Sequence, residues 1–197
     1  GRLAGTLSLP NIAPWFPHTH GEPALHDLTL TLDGEMLDLG RIGFRSLEID
    51  RGEDGEGFGL IVNGVPVFCR GACWSNADVT TLAGGRSAYE PWLRLAREAG
   101  MNMIRLPGVM TYEDDAFFAL CDELGIMVWQ EMMLANFDYP QADAGFRAAV
   151  QEEAWSLLDR TQGSPSLVVL CGGSEVFQQA AMLGAPPEAW SGPIFDE

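Results

Sequence analysis

No run of roughly 18 or more apolar residues, the length a membrane-crossing helix needs, occurs in the sequence. Its first ten residues, GRLAGTLSLP, lack the basic stretch and apolar core of a secretion leader. Basic residues are scarce: 11 Lys and Arg stand against 28 Asp and Glu, a formal net charge of −17. That excess repels phosphate backbones and anionic lipid, which argues against nucleic-acid and membrane partners. It suits a neutral or cationic ligand, or solubility alone. There are only four cysteines, Cys69, Cys73, Cys121 and Cys171. Three lie in apolar runs, so buried free thiols are expected rather than a disulfide framework. Cys69-x-x-x-Cys73 has no second pair and no nearby histidine to complete four ligands, so no metal is expected. No G-x-G-x-x-G marks the first strand–helix junction and no P-loop is present, which removes the common nucleotide sites. The sequence holds no fixed-period repeat and no low-complexity stretch.

What is present is enough for a core: 47% of the 197 residues are hydrophobic. Residues 1–60 carry short alternating runs, TLSLP (6–10), HDLTLTLDG (26–34) and IGFRSLEIDRG (42–52), separated by Gly, Pro and Asp. Period-2 alternation between turn residues predicts antiparallel strands. PNIAPWFPHTHGEP (10–23) is too rich in proline for regular structure. Asn63-Gly64 between apolar runs predicts a hairpin.

From there the rhythm alternates. A helix is predicted over 85–100, with Tyr89, Trp92, Leu93, Ala96 and Ala99 on its inner face and Ser87 and Glu90 as a capping box. MNMIRLP (101–107) reads as a buried strand. Residues 112–125 read as a helix with Phe117, Leu120, Cys121 and Leu124 inward and Gly125 after its last turn. IMVWQEM (126–132) reads as a strand, and 144–163 as a helix with Phe146, Val150, Ala154, Leu157 and Leu158 inside. SLVVLC (166–171) reads as the fourth strand. Strand–helix alternation with continuous apolar strands predicts a parallel sheet covered by helices, either an open doubly wound sheet or a (β/α) barrel.

In both architectures ligands sit at the C-terminal strand ends. Those ends carry Trp74, Asn76 and Asp78, then Arg105, then Trp129, Gln130 and Glu131, then Ser174 and Glu175. Carboxylates and Arg bind hydroxyls, and Trp faces stack on sugar rings, so a carbohydrate is the ligand this set suits. Each residue also has a structural use: Arg105 can pair with Glu131, Trp74 and Trp129 can pack, and Asp78 can cap a turn. Glu175 is the hardest to explain structurally, because a buried strand and two glycines, Gly172 and Gly173, deliver it to a solvent mouth.

The blocks IGFRSLEI, FGLIVNGVPVFCRGACW, AREAGMNMIRLPG, YEDDAFFALCDELGIMVWQEMM and SPSLVVLCGGSE resemble glycoside hydrolase family 2, most closely its β-mannosidase-like branch. The resemblance runs from about Trp15 onward. It implies an α/β chain: residues 1–52 as the C-terminal part of an immunoglobulin-like β-sandwich, and 53–197 as the first half of a (β/α)8 TIM barrel with its first strand near 67–72. It implies a retaining exo-glycosidase for β-linked sugars, β-mannosides first, with β-galactosides, β-glucuronides and glucosaminides as alternatives. Glu175 matches the family's acid/base at the end of strand 4, with the glycines leaving room beside it. Arg105 and Glu131 match polar residues that orient the sugar. Trp74 and Asp78 match a first-strand W-x-x-x-D, and Trp129 and Ser174 complete the expected sugar contacts. No metal or organic cofactor is implied.

Three departures stand out. Ser174 replaces the family's usual Asn, Pro107-Gly108-Val109 replaces Trp-Gly-Gly, and Ser164 replaces a His. Half a barrel also places the nucleophile beyond Glu197, and EAWSGPIFDE (188–197) reads as an onward loop or helix start. A rival reading is a sugar-binding or inactive unit without catalysis. A homo-oligomer stays open, and so does the compartment, with the cytoplasm favoured.

Overall fold

The computed structural model describes residues 5–6, 8–135, 139–186 and 194. The predicted strand at 6–10 does not form among its described residues, and 188–197 lies outside them apart from 194. The first strands are β1 (His26–Leu32) and β2 (Glu35–Ile42), an antiparallel pair. Sequence patterning found β1 and missed β2. The turn between them, Asp33-Gly34, has φ of 52° and 86°, the left-handed pair that a two-residue hairpin requires.

A second antiparallel sheet joins β3 (Leu47–Asp50), β4 (Gly59–Val62) and β5 (Val65–Val67). Asn63-Gly64 makes the β4–β5 turn as expected, with φ of 51° and 77°. This sheet crosses residue 52, because β3 comes from before that point and β4 and β5 from after it.

The third sheet is parallel and four-stranded, in the order β6 (Gly71–Cys73), β7 (Met103–Leu106), β8 (Met127–Glu131) and β9 (Leu167–Cys171). Helices α1 (Arg86–Glu98), α2 (Asp115–Leu124) and α3 (Ala144–Thr161) connect its strands in turn, and α4 (Val176–Met182) follows β9. The first parallel strand begins later than the expected 67–72. The hairpin takes 65–67 into β5, and parallel pairing starts at Gly71 against Met103. A Cβ at Gly71 would sit 1.8 Å from the Met103 carbonyl oxygen, so only glycine lets the two strands meet there.

The strands are apolar on both faces because both are covered. Ile104, Leu106, Val128 and Leu167 face the helices and pack with Tyr89, Leu93, Phe117, Leu120 and Ile126. Met103, Met127 and Val168 face the other way, onto Trp15, Leu60, Val62 and Val67. Each such side chain contributes about 1.5–3 kcal/mol when fully buried. The proline-rich segment has no regular structure, as expected, yet it is anchored. The Trp15 indole N–H donates to the Asp122 carbonyl at 2.8 Å, and the His18 amide donates to the Gly125 carbonyl at 3.0 Å.

Helix α2 follows its sequence reading. The Asp114 side chain accepts the Ala116 amide at its start, and Gly125 ends it with φ of 68°. Helix α1 departs from it. Its N-cap is Gly85, with no side-chain cap bond, and Ser87 already lies inside the helix. Glu90 instead pairs with Arg86 and Arg94 along the exposed face. Trp92 and Ala99 are exposed, because the buried face is narrower than the spacing implies and only Tyr89 and Leu93 are fully inside. In α3 only Leu157 and Thr161 are buried; Phe146, Val150, Ala154 and Leu158 are half-covered. The cysteines are free, but Cys121 is the buried one. Cys73 is exposed on β6, an edge strand, and Cys69 is exposed in the segment before it.

Candidate functional site

Alternation along β7 puts Met103 and Arg105 on the face opposite Ile104 and Leu106. On β8 it likewise puts Trp129 and Glu131 on the same face as Met127. At the C-terminal ends these side chains meet. Arg105 Nε donates to Glu131 Oε1 at 2.7 Å, and Arg105 Nη2 reaches Ser174 Oγ at 3.3 Å. Arg105 Nη1 lies 3.5 Å from the Cys73 sulfur. Glu131 is buried, and its second oxygen accepts the Gly108 amide at 3.0 Å. A buried carboxylate is tolerated because a cation and an amide satisfy it. Its hydrogen bond to Arg105 binds the guanidinium proton more firmly still. Arg105 is partly open to solvent, and Ser174 is buried beside it.

Glycines permit this approach. A Cβ at Gly108 would fall 2.2 Å from the Met132 carbonyl oxygen, and one at Gly173 would fall 2.8 Å from that of Leu134. Gly172 has open space around it. After Ser174 comes Glu175, exposed, with φ of 59° and ψ of 19° at the head of α4. A non-glycine residue in the left-handed region costs about 1–2 kcal/mol, and such strain clusters at working sites. Glu175 also lines a cavity of about 580 Å³.

The remaining expected residues are placed differently. Trp129 is half-buried, 6.3 Å from the Phe58 ring, and its buried indole N–H finds no partner among the described residues. Trp74 turns its indole N–H to Glu113 Oε1 at 2.7 Å and packs edge-on against Phe117. Asp78 caps its own turn, accepting the Thr81 hydroxyl at 2.7 Å and the Thr80 amide at 2.8 Å. Those bonds, the Thr81 hydroxyl first, hold its carboxyl below the usual range. The structure thus gathers Arg105, Glu131 and Ser174, with Glu175 the next residue in sequence. It spends the polar groups of Trp74 and Asp78 elsewhere.

Sequence reasoning missed Glu113. It is buried and accepts from Trp74, from Asn76 Nδ2 at 2.9 Å and from the Tyr89 hydroxyl at 2.7 Å, fixing the loop after β6. The only signal was a surplus acid in YEDD. Asp114 and Asp115 serve the helix, and Glu113 has no helical role. Among the described residues no group of three or more His, Cys, Asp or Glu side chains is placed to hold a metal ion.

No model of a known protein family matches the chain. Individual proteins do. The chain is 32% identical to β-mannosidase B of Aspergillus niger over 96% of its own length and 24% of that protein's. It is 35% identical to β-mannosidase B of Aspergillus terreus over 90% of its length and 21% of the relative's. The crystal structure of a β-D-mannosidase from Dictyoglomus thermophilum superposes with a TM-score of 0.74 at 42% identity, covering 81% of this chain and 20% of that one. A β-glucuronidase from Parabacteroides merdae, 21% identical, shares the fold with a TM-score of 0.70, over 86% of this chain and 21% of its own. The chain spans only a fifth to a quarter of the length of these relatives. Over that span it belongs to glycoside hydrolase family 2, in the branch of the β-mannosidases.

Proposed function

We propose that this chain supplies half the active site of a retaining β-glycosidase, with Glu175 as general acid/base and Arg105, Glu131, Ser174 and Trp129 holding the sugar. The observation that carries the reading is the convergence of Arg105, Glu131 and Ser174 at adjacent strand ends, one residue before a strained, exposed glutamate. Residues 53–197 are then the first half of a (β/α)8 barrel, and 1–52 the end of an immunoglobulin-like sandwich. The four consecutive parallel strands with intervening helices support the first assignment, and the antiparallel pairing of β1 with β2 the second. Trp74 and Asp78 form the outer wall of the pocket, fixed by Glu113 and by their own turn.

Glu175 gives its proton to the glycosidic oxygen while a second carboxylate, outside this chain, attacks the anomeric carbon. Glu175 then takes a proton from the water that frees the sugar. In a retaining site the two carboxyl groups stand about 5–5.5 Å apart. Arg105, held rigid by Glu131, orients hydroxyls without spending its own charge. The 42% identity to the Dictyoglomus thermophilum β-D-mannosidase supports a mannoside as the substrate.

The test is hydrolysis of 4-nitrophenyl and alkyl β-glycosides by the full-length protein. Glu175→Gln is expected to lower turnover of alkyl mannosides by about 10²–10⁴-fold, the usual worth of a positioned acid. Retained turnover overturns the assignment. The exposed β6 edge and the shorter Ser174 favour a second reading, a unit that binds sugar without cleaving it. Calorimetric binding of mannose with no hydrolysis of any glycoside would select it.

A further inference from the structure

Strand β6 has little burial to hold it. It is three residues long, it lies at the edge of its sheet, and Gly71, Ala72 and Cys73 are all exposed. Yet its end borders the polar cluster. The Trp74 amide donates to the Arg105 carbonyl at 2.8 Å, and the Cys73 sulfur lies 3.5 Å from Arg105 Nη1. The loop that follows, residues 74–85, returns at both ends to one buried carboxylate. Glu113 Oε1 accepts the Trp74 indole N–H at 2.7 Å and Asn76 Nδ2 at 2.9 Å, and Oε2 accepts the Tyr89 hydroxyl at 2.7 Å. At the far end of the loop, a Cβ on Gly84 would fall 2.2 Å from that hydroxyl. The backbone of Glu113 is held as well, since Arg160 of α3 donates to its carbonyl at 3.0 Å.

We propose that Glu113 is a positioning residue of the sugar site, holding the end of β6 in register against Arg105. The inference rests on the reading of the Arg105 cluster as a sugar site. Burying a carboxylate costs free energy that only satisfied hydrogen bonds offset, and here three uncharged donors converge on it. Helix α2 does not need it, because Asp114 caps that helix. Its link to the cluster is short: Glu113 fixes the indole of Trp74, and the amide of Trp74 sits on the Arg105 carbonyl. Glu131 thus holds Arg105 by its guanidinium, and Glu113, through Trp74, by its backbone. Without Glu113 the three donors lose their acceptor, and the wall made by Cys73 and Trp74 loosens. A wall of that kind meets substrate and transition state alike, so its loss shows in KM rather than kcat. Glutamine can do the same work. Its carbonyl accepts from Trp74 and Asn76, and its amide donates to the Tyr89 hydroxyl, which turns to accept.

The test compares Glu113→Ala and Glu113→Gln in the full-length protein. Amide hydrogen exchange, read by mass spectrometry, reports on the segment 71–79 without any need for activity. Glu113→Ala is expected to speed exchange there about tenfold while α2 and β8 keep the parent's rates, and Glu113→Gln to leave all three unchanged. With 4-nitrophenyl β-mannoside, Glu113→Ala is expected to raise KM about tenfold with kcat within about twofold, and Glu113→Gln to restore the parent's KM. Four results overturn the inference: unchanged exchange at 71–79, exchange rising equally in α2 and β8, a fall in kcat with KM untouched, or glutamine failing as alanine does. If Glu113→Ala does not fold, Trp74→Phe cuts the same link from the other side and is expected to speed exchange at 71–79 alone. A parent that hydrolyses no glycoside overturns the glycosidase reading instead, and the exchange rates then still decide whether Glu113 holds β6.

Discussion

At the N-terminal ends of the parallel strands the chain closes with Trp15, Leu60, Val62 and Val67 on Met103, Met127 and Val168, all apolar and all buried. At the C-terminal ends, a few residues further along the same strands, it exposes Arg105 in part, buries Glu131 and Ser174, and strains Glu175. The first end is what burial alone would select. The second is what burial alone would reject, since each charge there must be satisfied individually and none adds stability by packing. One sheet therefore separates a stabilising end from a working end.

The largest expected effect falls on the stabilising end. Trp15→Ala should cost about 3–5 kcal/mol, read as a drop in the urea midpoint, because it opens a large cavity and strands the Asp122 carbonyl. A loss below 1 kcal/mol would mean that the seal matters little. The working end should answer differently to the double change Arg105→Met with Glu131→Leu. Replacing a buried ion pair by apolar residues of similar volume is often neutral or stabilising. The double variant is expected to melt no more than about 1 kcal/mol below the parent, while Arg105→Met alone, which leaves Glu131 buried and unpaired, costs about 2–4 kcal/mol. Equal losses in single and double variants would erase the contrast.

The smallest effect concerns Asp122, on the stabilising end. Burial pushes its carboxyl up to about 6, against the opposing bonds from Ser166. A folded value above the ordinary one near 4 means the native state binds the proton more tightly. That stability is fully present below about pH 4 and is lost as pH rises through about 6. Asp122→Asn keeps an acceptor for the Ser166 amide without the charge. It is expected to flatten this decline and to gain about 1 kcal/mol at pH 7.5, as checked by urea titrations across pH. An unchanged pH profile would remove Asp122 from the account.

Much of this division is legible in the sequence, because strand and helix periods differ and because a charge inside an apolar run is conspicuous. Arg105 and Glu131 stand out for that reason, and so does Glu175 after its glycines. Glu113 does not, since its partners Trp74, Asn76 and Tyr89 lie 24 to 39 residues away in sequence. Strand β2 escaped because its acids and glycine dilute the alternation, although Asp33-Gly34 announced its hairpin. The Ser87–Glu90 box failed because the pattern needs Ser at the cap, and Gly85 holds that place. Trp92 shows the limit of helical spacing, which gives a face and leaves its width to the neighbours. Cys73 is exposed for a topological reason that no local window contains.

The contact of His18 with Gly125 carries a consequence for the order of events in folding. A Cβ at residue 125 would lie 2.7 Å from the His18 nitrogen, so the backbone of the Trp15 segment occupies ground that exists only once α2 has stopped in its left-handed turn. The Trp15 bond to Asp122 closes a span of 107 residues, an expensive loop that forms late. The segment then acts as a latch on a sheet already assembled. Refolding rates should barely register it, and unfolding should begin with its release, which stopped-flow kinetics of Trp15→Phe would show as a faster unfolding limb alone.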